Sequence, residues 1–143
     1  MPGPEKIAEH ILRKYLEGLD WWTFKLHGST YQRGLPDLLL HPPIPKDALS
    51  GIAKGFMLAE VKCLQSQPRD MFAGDLTVKL LSCFQIANWI LANEHNAPLC
   101  IVANLSFRKT EDWFVIKPLR FMPVNATVHC VNLSDLESEL LFW

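Results

Sequence analysis

Two short apolar runs, each carrying charge that packing does not call for, constrain this 143-residue chain most tightly. Leu35-Pro36-Asp37-Leu38-Leu39-Leu40 reads as a strand with one acid, and Phe56-Met57-Leu58-Ala59-Glu60-Val61-Lys62-Cys63-Leu64 as a strand with an acid and a base. Alternate residues of a strand point to the same side, so Glu60 and Lys62 share a face and Val61 turns to the other. Between the runs, residues 41–55 hold Pro42, Pro43, Pro45, Gly51 and Gly55 and read as a long excursion. If the runs pair as an antiparallel hairpin with Asp37 opposite Glu60, paired residue numbers sum to 97 and the turn is centred between Ala48 and Leu49, inside that excursion. One register then gathers Asp37, Glu60 and Lys62. Burying three such charges costs several kcal/mol each unless they meet an ion, one another or solvent.

The rest of the chain supplies the frame. Ile7, Ala8, Ile11, Leu12, Tyr15, Leu16 and Leu19 repeat at helical spacing, which predicts an amphipathic helix over Glu5–Leu19 with Lys6, His10, Arg13, Lys14 and Glu17 in solvent. Glu5 and Glu9 lie one turn apart on its core-side half, either complementing the helix dipole or aimed inward at a site. Trp21–Leu26 reads as a strand, and residues 27–34 and 65–74 as polar loops. Asp75 is expected to cap one helix running to about Glu94, with Leu76, Leu80, Phe84, Ala87 and Leu91 as its buried stripe and Val78, Leu81 and Ile90 widening it. Strands are expected at Pro98–Leu105, Asp112–Lys117 and Ala126–Leu133. Ser134-Asp135-Leu136-Glu137 reads as a capping box opening a last short helix. The order αβββαβββα predicts a mixed α/β or α+β fold in a single domain, residues 1–143.

Composition narrows the function. The net charge of -1 excludes binding of nucleic acid through bulk charge. The acids are unevenly spread, however. The last 20 residues hold Asp135, Glu137 and Glu139 and no Lys or Arg, which leaves 14 basic against 12 acidic residues in the body. No apolar run approaches a membrane span and no signal sequence is visible, so a cytoplasmic protein without a membrane partner is expected. Cys63, Cys83, Cys100 and Cys130 form no Cys-x-x-Cys pair and read as buried thiols, and the five histidines show no ligand spacing. The tryptophans most simply fill the core or an interface. Phe142 and Trp143 at the chain end hint at a dimer contact.

The charged strands have a direct chemical use. Two neighbouring carboxylates and a backbone carbonyl such as that of Val61 suit Mg²⁺ or Mn²⁺, since hard cations prefer oxygen. A cation so held polarises a phosphodiester, and Lys62 beside it can orient water and stabilise charge developing on phosphorus. A buried salt bridge between Lys62 and either acid is the plainer alternative, and it leaves one acid unexplained.

Pro36-Asp37 followed by Glu60-Val61-Lys62 resembles the signature of the PD-(D/E)xK nucleases. Ala8-Glu9 in a leading helix is similar to the first motif of archaeal Holliday-junction resolvases. Arg33-Gly34-Leu35-Pro36-Asp37-Leu38-Leu39 resembles the RG-x-PDL run of VRR-Nuc nucleases, and Phe84-Gln85-Ile86-Ala87-Asn88-Trp89 the HQ-x-x-x-[YW] helix of RecU-type resolvases. Phe84 stands where those enzymes often carry His, and the 41–55 excursion is longer than their usual turn.

The resemblance covers residues 5 to about 117. It implies a restriction-endonuclease-like core, αβββαβ with a central mixed sheet flanked by helices, plus extra C-terminal strands and a short helix. It implies Glu9, Asp37, Glu60, Lys62 and Gln85 as catalytic residues, and Asp37, Glu60, Val61 and Glu9 as ligands of Mg²⁺ or Mn²⁺. Family spacing selects Glu9, whereas the helical wheel slightly favours Glu5. Lys25, Ser29, Thr30, Arg33, Arg69 and Lys79, with Arg108 and Lys109, are the candidate contacts to DNA phosphates. The implied activity is that of a metal-dependent DNA endonuclease, a Holliday-junction resolvase working as a homodimer. The alternatives are a VRR-Nuc-like flap or single-strand nuclease, a restriction-type enzyme, or a non-catalytic DNA-binding protein on the same fold.

Overall fold

The antiparallel register read from the two charged runs is the one that forms. Leu38 pairs with Ala59, Leu39 with Leu58 and Leu40 with Met57, each pair summing to 97. The computed structural model describes residues 3–26, 34–43, 55–64, 71–105 and 110–141. Its elements are α1 (Pro4–Gly18), β1 (Trp22–Lys25), β2 (Leu38–His41), β3 (Met57–Leu64), α2 (Ala73–Leu80), α3 (Cys83–Glu94), β4 (Leu99–Leu105), β5 (Trp113–Ile116), a 3₁₀ turn at Leu133–Asp135 and α4 (Leu136–Leu141). The strands make one mixed sheet in the order β1-β2-β3-β4-β5, antiparallel except where β3 runs parallel to β4. Helices on both faces complete an α+β fold, as expected.

Strand alternation divides the core in two. On one face, Leu38, Leu40, Ala59, Val61, Val102 and Trp113 meet Ala8, Leu12 and Leu16 of α1 and Leu136 and Leu140 of α4. On the other, Leu64, Ile101, Ala103, Phe114 and Ile116 meet Leu76 of α2, Leu81 between the two helices, and Trp89 of α3. Glu60 and Lys62 are level with Ile101 and Ala103 across the β3–β4 ladder, so their side chains rise on the α2–α3 face.

Three expectations about the elements are corrected. The helix expected from Asp75 to Glu94 is two helices, because Leu81 leaves the helical conformation and Ser82 caps a new one. Asp75 sits inside the first turn of α2 and does not cap it. Leu81 is buried as expected, but Val78 ahead of the break is exposed, and the phase shift after it leaves Phe84, Ala87, Ile90 and Leu91 exposed as well. Ala126–Leu133 forms no strand. It makes only isolated bridges, Thr127 with Phe72 and Val131 with Trp113, since it passes from one element to another instead of extending a ladder. The Ser134–Glu137 capping box is also absent, for the Glu137 carboxylate accepts a hydrogen bond from Trp21 Nε1 at 2.6 Å. Of the four free cysteines only Cys100 is buried, and burial pushes its thiol up to about 12; Cys83 is exposed, unlike the buried thiol expected.

Candidate active site

Asp37 directly precedes β2 and continues its ladder, donating its N–H to Ala59 O at 3.1 Å and accepting Leu26 N–H at 2.9 Å. Its side chain crosses to β3, where Oδ2 accepts the Val61 N–H at 2.8 Å. The N–H and C=O of a strand residue point to the same side, so the Val61 carbonyl is turned toward Asp37 as well. Glu60 stands beside it, 2% exposed and close enough for the Asp37 carboxylate to act on its ionisation. Burial first, then the Asp37 carboxylate, push the Glu60 carboxyl from its ordinary 4.5 up to about 9, against a smaller pull from Lys62.

Gln85 joins these groups to α3. Its Nε2 donates to Glu60 Oε2 at 3.2 Å, and its Oε1 accepts from Lys62 Nζ at 3.0 Å. The same Oε1 accepts the Ser82 N–H at 3.0 Å, while Ser82 Oγ accepts the Gln85 N–H at 3.3 Å. This is a capping box. One amide therefore starts the helix and holds the acid and the lysine. The sequence signal was Ser82-x-x-Gln85, three residues apart.

Of the two acids on α1, Glu5 approaches Lys62, with Oε1 3.9 Å from Nζ. Glu9 is buried and faces Lys25, whose Nζ lies 3.0 Å from its carboxylate. The pairing engages Lys25 with a carboxylate that would otherwise be buried alone. Lys79 is exposed in the last turn of α2. Ser29, Thr30, Arg33, Arg69, Arg108 and Lys109 lie outside the described residues, as do Phe142 and Trp143.

Two further features are not evident from residue types alone. The outer face of α1 borders a concavity of about 440 Å³ lined by Lys6, His10, Arg13, Lys14 and Lys25 together with the acids Glu9 and Glu17. And Gly34 locks the approach to Asp37 against α3. Gly34 has φ of 80°, its carbonyl accepts Asn88 Nδ2 at 2.8 Å, and a Cβ there would stand 2.7 Å from both Asn88 Nδ2 and Phe84 O. The Phe84 carbonyl is backbone and cannot step aside. Gly34→Ala is therefore expected to destabilise the protein by about 1–3 kcal/mol, from the left-handed φ alone. Thermal melting checks this, and an unchanged Tm contradicts it.

The donor set fits a hard divalent cation. Two carboxylates, one of them buried, meet a backbone carbonyl, an all-oxygen donor set. Among the described residues no group of three or more His, Cys, Asp or Glu side chains could hold a metal ion. The remaining positions would fall to water or phosphate, which suits Mg²⁺ better than zinc.

The fold and site together define a mixed-sheet α+β protein with a paired-carboxylate, lysine and glutamine centre. One similar solved structure is that of Archaeoglobus fulgidus Hjc, a Holliday junction resolvase from an archaeal hyperthermophile, at 14% identity and TM-score 0.48 over 90% of this chain and 88% of that one. No family model matches the chain, and no curated protein matches it. Among the described residues, no helix is long and apolar enough to cross a membrane.

Proposed function

We propose that the chain is a divalent-metal-dependent DNA endonuclease of the PD-(D/E)xK class, and that it cuts Holliday junctions as a homodimer. The convergence of Asp37, Glu60, Lys62 and Gln85 from two strands and a helix carries the reading. A protein that only bound DNA would have no use for a buried acid whose ionisation its own fold opposes.

Asp37, Glu60 and the Val61 carbonyl would hold Mg²⁺ or Mn²⁺. When bound, such a cation polarises a phosphodiester and lowers the pKa of coordinated water. Lys62, oriented by Gln85 at 3.0 Å, donates to the phosphate oxygens as negative charge builds on them. Gln85 also keeps Glu60 aimed inward. The cations around the concavity on α1 would take neighbouring phosphates by a few contacts, which a chain of net charge -1 needs in place of a broad basic surface. Two such sites about a two-fold axis would deliver paired cuts on a four-way junction.

The test is a substrate panel: four-way junction, flap, linear duplex and single strand, each with Mg²⁺ at one salt concentration. The junction is expected to be cut fastest, by two symmetric incisions. Faster cutting of flap or single strand overturns the junction assignment and keeps the nuclease; no cutting of any DNA overturns both.

A further inference from the structure

We propose that the open aromatic face of the sheet beside Asp37 is a stacking surface for bases that come unpaired at the branch point of the strand being cut, an inference that rests on the nuclease reading above. Trp22 and Phe24 of β1 are 50% and 51% exposed, and Phe56, just before β3, is 53% exposed. They form one contact group with His41 of β2. Ring centroids of Trp22 and Phe24 lie 5.6 Å apart and nearly parallel, Phe56 meets Trp22 edge-on at 6.0 Å, and His41 meets Phe56 at 4.6 Å.

Register fixes which side of the sheet they occupy. Trp22 pairs with His41 and Phe24 with Leu39, both of which alternate with buried Leu38 and Leu40. Asp37, Leu39 and His41 therefore project on one side of a single strand, and that side is the one where Glu60 and Lys62 stand. Among the described elements, α3 packs on this side against β4, while Trp22 and Phe24 of β1 stay half exposed there.

Continuity with the carboxylates selects the occupant. A phosphate held at Asp37 lies about 7 Å from the Phe24–Leu39 pair and about 13 Å from the Trp22–His41 pair, at ~3.3 Å per strand residue. At about 3.4 Å per stacked step, these are the places of bases roughly two and four nucleotides from the cut. The exposed large side chains here are flat rings, which accept any base, and no carboxylate of the described residues stands on this side of β1, or of β2 past Asp37. A polyanion meets no repulsion there. A second copy of the chain seated on the same rings is the alternative that the test must separate.

The experiment uses the full chain in EDTA, so that nothing is cut. Binding of fluorescent twenty-residue oligothymidine and of a blunt duplex is followed by anisotropy for the parent, Trp22→Ala, Phe24→Ala and Trp22→Phe, with sedimentation velocity on each. Each alanine variant is expected to bind oligothymidine roughly 5- to 100-fold more weakly. Duplex affinity should move less than about twofold, and Trp22→Phe should keep most of the single-strand affinity. Both half-exposed rings contribute little to the core, and a melting curve matching the parent's confirms folding. Unchanged oligothymidine binding in both alanine variants overturns the proposal. So does an equal loss on duplex, or a dimer that falls to monomer in Trp22→Ala. A chain that binds through these rings yet cuts no DNA with Mg²⁺ overturns the nuclease reading and leaves the stacking surface standing.

Discussion

Asp37→Asn and Glu60→Gln are each expected to lower Mg²⁺-dependent cleavage by about 10³-fold or more while leaving the fold intact. Each exchange keeps side-chain size and removes one carboxylate from a site where, among the described residues, Asp37 and Glu60 stand together. With a single carboxylate left, little holds a divalent cation against water. The two losses should not add in the double variant, because both residues serve one cation. Single-turnover cleavage rates check this. Rates within tenfold of the parent for both variants contradict the assignment.

The second large effect is on stability. Burial and the neighbouring Asp37 carboxylate push Glu60 up to about 9 in the folded protein, against 4.5 ordinarily. Between these values the unfolded chain has released a proton that the folded chain keeps. Folding stability of the metal-free protein should therefore fall as pH rises through this window, by at most about 1.4 kcal/mol per pH unit from this group. Glutamine cannot ionise and does not share the slope. Glu60→Gln is thus expected to melt higher than the parent at pH 8 in EDTA, by roughly 5 °C or more, with the gap closing toward pH 5. Parallel Tm profiles across this range contradict the account. The residue argued to be indispensable for cleavage is also one whose removal stabilises the empty protein, as strained functional groups often are.

Much of this site was legible in the sequence because charge in an apolar strand is conspicuous. Asp37, Glu60 and Lys62 interrupt runs of Leu, Val and Ala, and strand alternation with a Pro- and Gly-rich turn sufficed to pair them in the register observed. What escaped depended on longer-range geometry. Leu81 continues the apolar period of α2, so nothing in the spacing marked the break there, although the Ser82–Gln85 capping pair was visible. Glu5 and Glu9 share a helix face. Which one reaches Lys62 depends on how far α1 slides along the sheet, and only the fold sets that. Val131 alternates like a strand residue but meets Trp113 at a single bridge. Trp22 and Phe24 are spaced two apart as strand neighbours on one side should be, yet whether a helix covers that side is not written in β1 itself.

Asp37 and Glu60 are expected to hold one divalent cation between them. Titration of Mn²⁺ into the parent, Asp37→Asn and Glu60→Gln, followed by the EPR signal of the free ion, tests it most directly. Saturable binding that Mg²⁺ displaces is expected in the parent, and its loss in both variants. Mn²⁺ bound equally well by all three proteins would contradict it.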